Sequence, residues 1–133
     1  IQWWLDARDA QNYGSLMRRT PDGIDLKHLF YVYSTGLSQT PLKMRNAFAL
    51  SMALPLIGLE SEPLTAIKGP KSGRGDIRAN VGERATHGMK QYEIFEDDNE
   101  AILSDPTALI DISHFLETLI TDEDGIPTIK DRP

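Results

Sequence analysis

At 133 residues and 40% hydrophobic, the chain fits a single domain able to bury a core, and its formal net charge of −6 argues against a uniformly basic nucleic-acid module. It contains no cysteine, which excludes disulfides, zinc–thiolate sites and cysteine nucleophiles and fits a reducing compartment. The longest apolar run, Ala47 to Leu59, is interrupted by Ser51, Pro55 and Gly58 and falls well short of the roughly 20 residues that span a bilayer. Ile1 and the adjacent Trp3-Trp4 lack a charged leader pattern, so the chain is expected to be a domain from a longer intracellular protein, cytoplasmic or nuclear.

From Trp3 to Arg19, apolar residues at 3, 7, 10, 13 and 17 follow helical spacing, with Gly14 as a weak point. Thr20-Pro21-Asp22-Gly23 is a turn. Asp25 then caps a helix in which Leu26, Leu29, Phe30 and Tyr33 share one face. A strand over residues 28–34 competes, because Phe-Tyr-Val-Tyr suits pleated structure, but the helix is preferred.

Thr40 and Pro41 form the clearest helix start, opening a central buried helix over residues 42–54. Lys43 and Arg45 oppose the dipole of its first turn unless something anionic lies nearby. Leu64 to Ile67 reads as a short strand or a helical turn. Gln91 to Phe95 alternates like a brief strand, the arm of a hairpin. Asp97 to Glu100 opens a short helix, and Asp105-Pro106 launches a longer one to about Ile120. In that helix Leu109, Ile112, Phe115, Leu116 and Leu119 form the predicted inner face, with Asp111, Glu117 and Thr118 outward. From Asp122 the chain is expected to be an extended or disordered tail.

The expected fold is therefore mainly α. It is a compact domain of four to five helices over residues 1–121, with a long, mobile, basic, glycine-rich loop at 68–90 and room for a small β-hairpin.

Charge is distributed in blocks. Residues 1–67 hold six basic and six acidic groups. Residues 68–90 hold six basic against two acidic, and residues 91–133 hold two against twelve. The basic block invites comparison with phosphate-binding loops. Counting from Gly69, however, Arg74 stands where a P-loop needs glycine, and Arg78 stands where a dinucleotide fingerprint needs its third. What remains is a cationic segment that can bind phosphates without reading bases.

No metal spacing links His28, His87 and His114, and Asp122-Glu123-Asp124-Gly125 lacks the flanking acids of a calcium loop. No nucleophile elbow is present, so the residues weigh against an enzyme, and no cofactor is implied.

Two functions follow. The first is a non-catalytic nucleic-acid-binding domain, for DNA or RNA, of a larger nucleoprotein or mobile-element protein. Lys68, Lys71, Arg74, Arg78, Arg84 and Lys90 would meet phosphates, with Lys43 and Arg45 as neighbours and Tyr92 available to stack on a base. The alternative is an assembly module in which the basic loop of one subunit meets the acidic C-terminal third of another. No membrane partner is expected.

Overall fold

Residues 29–34, Leu-Phe-Tyr-Val-Tyr-Ser, are apolar or aromatic at every position but the last, and they form a strand, β1 (Leu29–Ser34). The strand resolves what a helix cannot. Phe30 and Val32 go to one side and Leu29, Tyr31 and Tyr33 to the other, and both sides are covered. The computed structural model describes residues 13–19, 26–36, 42–58, 60–61, 75–94 and 101–131.

In chain order the elements are α1 (Gly14–Met17), β1, α2 (Leu42–Met52), β2 (Ile77–Arg78), β3 (His87–Tyr92), α3 (Ala101–Ser104), α4 (Pro106–Thr121) and β4 (Thr128–Ile129). β1 pairs in parallel with β3, Leu29 opposite His87 through Ser34 opposite Tyr92. On the other edge of β3, Leu56 makes a parallel bridge to Met89, with Ile57 N donating to Met89 O and Met89 N to Pro55 O. β3 is thus the middle of three parallel segments, and every one of its residues is buried. β2 and β4 form a separate antiparallel pair.

Two helices cover the sheet. On one side α2 contributes Ala49 and Met52 to a core with Tyr33, Leu54, Leu56 and Met89. The rings of Tyr31 and Tyr33 stack at 5.2 Å, and Phe48 meets Tyr31 edge-on. On the other side α4 contributes Ala108 beside Tyr92 and Ile94, and Phe115 beside Ile57 and Ile129. Phe115 also lies against Phe30, centroids 5.2 Å apart. Two glycines make this packing close. A Cβ on Gly14 would sit 1.9 Å from Ser51 Oγ, and one on Gly88 would sit 2.2 Å from Ile57 Cδ1 and 2.8 Å from Ile129 Cδ1.

The mainly α expectation is overturned. Among the helices of the described residues only α2 and α4 exceed four residues, and a parallel sheet lies between them, so the fold is mixed, with helices and strands. The helix preferred over residues 25–36 is β1 from Leu29 onward. The basic glycine-rich loop is ordered structure over 75–90, where β2, a turn and the first two-thirds of β3 lie. The strand near Gln91 begins earlier, at His87, and its partner is parallel, so it is no hairpin arm. The tail after Asp122 is extended and packed: Ile126, Pro127 and Ile129 are buried. α4 starts where expected, with Asp105 accepting from Ala108 N at 2.7 Å. Trp3, Trp4, Thr40, Pro41, residues 62–67 and Asp97 to Glu100 lie outside the described residues.

Candidate functional site

A central strand reading His-Gly-Met-Lys-Gln-Tyr must find a partner for each polar group it buries. His87 Nε2 lies 2.7 Å from Lys27 O, and Gln91 Nε2 donates to Tyr33 Oη at 2.6 Å. Lys90 and Tyr92 both reach α4. The Lys90 ammonium lies 2.5 Å from Asp111 Oδ2, and Tyr92 Oη donates to the same oxygen at 2.8 Å. Lys90 is 4% exposed and Asp111 2%.

Meeting Lys90 requires α4 to turn Asp111 inward. Its buried positions are Ala108, Asp111 and Phe115, so of the predicted face of Leu109, Ile112, Phe115, Leu116 and Leu119 only Phe115 is buried and the inner face is turned by about a quarter turn. The expectation that Asp111 faces solvent is therefore corrected. The rotation leaves Leu109, Leu116 and Ile120 exposed in one line, Ile120 by 82%. Spaced by seven and four residues, they share one face about 16 Å long.

Of the eight cations singled out in the sequence, four are described with their side chains, and two of these, Lys90 and Arg45, are buried. Lys90 is spent on Asp111. Arg45 is buried against α2's own layer, donating to the carbonyls of Ser34 and Thr35. Arg78 grips Asp122 with Nε at 3.2 Å and Nη2 at 2.7 Å from Oδ2, and lies 3.7 Å from Asp124. Arg84 is exposed, lining a cleft of about 540 Å³ with His28, Glu83 and Asp124. Lys43 is in the first turn of α2, but its side chain lies outside the described set, as do Lys68, Lys71 and Arg74 entirely. Tyr92 is buried and bonded, so it is not an open stacking platform.

Within the described residues, then, basic and acidic blocks pair inside one chain. Lys90 meets Asp111 and Arg78 meets Asp122. Across β2 and β4, Lys130 Nζ lies 2.5 Å from Asp76 Oδ2, and Asp131 Oδ2 accepts from Gly75 N. The Arg78 guanidinium holds the Asp122 carboxyl below its usual range, and the hydrogen bond from Lys130 does the same for Asp76.

A second cleft, about 230 Å³, opens at the carboxyl end of the parallel strands. It is lined by the Lys90–Asp111–Tyr92 cluster, by Glu93 and Ile94 just beyond β3, and by Asp105 and Thr107 at the start of α4. Beneath the opposite, amino-terminal end, Thr86 N donates to His28 Nδ1 at 3.2 Å and Thr86 Oγ1 to Pro127 O at 2.6 Å. Burial, and then the neighbouring His87, lower the His28 pKa; burial likewise lowers that of His87.

Sequence reasoning missed Asp111 and the inward role of Lys90. The available signal was an acid, Asp111, set between Ile110 and Ile112 in the helix, and a lysine directly before the segment read as alternating from Gln91. Among the described residues no group of three or more His, Asp or Glu is placed to hold a metal ion, and no helix is long and apolar enough to cross a membrane. Compared with known proteins, the chain matches no family model, and no curated protein or solved structure matches it.

Proposed function

We propose that this domain is a self-assembly module whose contact face is the outer side of α4. The observation that carries the reading is the line of Leu109, Leu116 and Ile120, left exposed because Asp111 must face Lys90. An apolar line on an ordered helix is the kind of surface that marks a protein contact. Acidic side chains accompany it, with Glu117 on the helix and Glu123 just beyond its end exposed. The complementary charge is present in the same chain, in Lys68, Lys71 and Arg74. A second copy therefore supplies both an apolar stripe and the cations to meet those acids. The stripe alone is smaller than the roughly 800 Å² per partner of a standard interface, so the assembly is weak and salt-sensitive.

Sedimentation velocity across a concentration series at low and high salt tests this. Wild type is expected to associate with concentration, less at high salt. Ile120→Glu and the triple Lys68, Lys71 and Arg74→Glu change should each weaken association. A strict monomer at high concentration and low salt would overturn the reading, as would undiminished association of Ile120→Glu.

Nucleic-acid binding is the second reading. It is favoured by the acid-free stretch from Pro63 to Gly75, which holds Lys68, Lys71 and Arg74, and by the exposed position of Arg84. With Lys90 and Arg45 buried and Arg78 paired, it rests on about half of its original cations. Fluorescence anisotropy with labelled single- and double-stranded oligonucleotides at low salt decides it. Absence of binding there, or binding untouched by Lys71→Ala with Arg74→Ala, removes it.

A further inference from the structure

We infer that the cleft beside Lys90, Tyr92 and Asp111 is a binding site for a small zwitterion of amino-acid size. Its position is the first argument. In open parallel sheets ligands lodge beyond the carboxyl ends of the strands, and this cleft is lined by Glu93 and Ile94, the residues directly after β3.

The second argument is what the cleft contains. Burying an ammonium and a carboxylate is costly, and an apolar pair of similar volume would hold the layers together at least as well. Here both are buried and both line a cavity. A lysine ammonium has three N–H donors, and the bond to Asp111 uses one. Thr107, exposed in the first turn of α4, adds a hydroxyl donor to the same lining. These features suit a carboxylate.

The remaining charges select for a cation on the same molecule. Once Lys90 and Asp111 offset one another, Glu93 and Asp105 leave the described lining with a surplus of negative charge. That surplus repels a simple anion and attracts an amine. Size supplies the last constraint. The volume, about 230 Å³, admits a free amino acid. The ligand is therefore a molecule with a carboxylate at the Lys90 end and an ammonium at the Glu93 and Asp105 end. This site is independent of the α4 outer face, which lies on the other side of that helix.

The test is an NMR titration of the ¹⁵N-labelled full chain with each proteinogenic amino acid at millimolar concentration. At least one is expected to shift the amide peaks of Glu93, Ile94 and Thr107 saturably. Glu93→Gln with Thr107→Val, both exposed at the rim, should weaken that binding about tenfold, as expected when charge-assisted hydrogen bonds are lost. The double change Lys90→Met with Asp111→Leu should abolish it. If that variant fails to fold, by loss of peak dispersion, the rim variant decides alone. No saturable shift with any amino acid overturns the inference, and so does binding that survives the rim changes at full strength.

Discussion

Lys90 on the central strand and Asp111 on α4 form an ion pair at 2.5 Å with both side chains shut away from solvent. That one contact sets the rotation of α4, and through it which side of the helix is left bare. Removing one partner strands a charge in the interior. Lys90→Met or Asp111→Leu alone is expected to destabilise by about 3–5 kcal/mol. The double change should recover most of that loss, because no charge is left unpaired. Urea denaturation of the three variants measures the difference.

The outer face of α4 predicts the opposite pattern. Leu116→Glu and Ile120→Glu replace exposed side chains that the monomer does not pack, so stability should move by no more than about 0.5 kcal/mol. Association in sedimentation should fall. A large stability loss at high dilution would mean that this face is part of the core.

Gly88 is predicted to resist a side chain. In Gly88→Ala the new methyl would press on the ends of Ile57 and Ile129, costing about 1–3 kcal/mol. The nearer obstacle is Ile57 Cδ1, the atom that Ile57→Val removes. Adding Ile57→Val to Gly88→Ala should therefore cost less than the sum of the two single changes, a non-additivity readable from denaturation midpoints.

Two windows of pH dependence follow from the ionisable groups. The pKa values of His28 and His87 are lowered in the fold, chiefly by burial. The unfolded chain thus takes up protons first, and stability should decline as pH falls below the ordinary value of 6.5. His28→Gln keeps an acceptor for Thr86 N and should flatten its share of this decline. Asp76 and Asp122 are held below their ordinary value of 3.8 by Lys130 and Arg78. Their contribution is present above that value and is lost as pH drops through it. Denaturation midpoints from pH 8 to pH 3 should show both steps, and a flat profile between 7 and 5 would contradict the first.

The legible parts of the chain were those governed by local chemistry. α4 begins at Asp105-Pro106 because an aspartate cap and an N-terminal proline act within four residues, and α2 occupies the Leu-, Met- and Ala-rich segment for equally local reasons. β1 was open between helix and strand, since its aromatic residues satisfy either period over six positions. The choice fell to β3, which lies 58 residues away in sequence and offers a parallel partner.

β3 itself was hidden because polar side chains ordinarily signal solvent. Histidine, glycine and lysine at the end of a basic segment read as a loop until Lys27 and Asp111 are brought to them, and only Gln91 and Tyr92 of this strand read as strand. By itself the sequence determined the Asp105 cap of α4, the absence of cysteine chemistry and the division of charge into basic and acidic blocks. Only the tertiary structure decided that those blocks meet within one chain, at the surface in Arg78–Asp122 and in the interior in Lys90–Asp111, where a buried charge is tolerable only because a distant partner is in place.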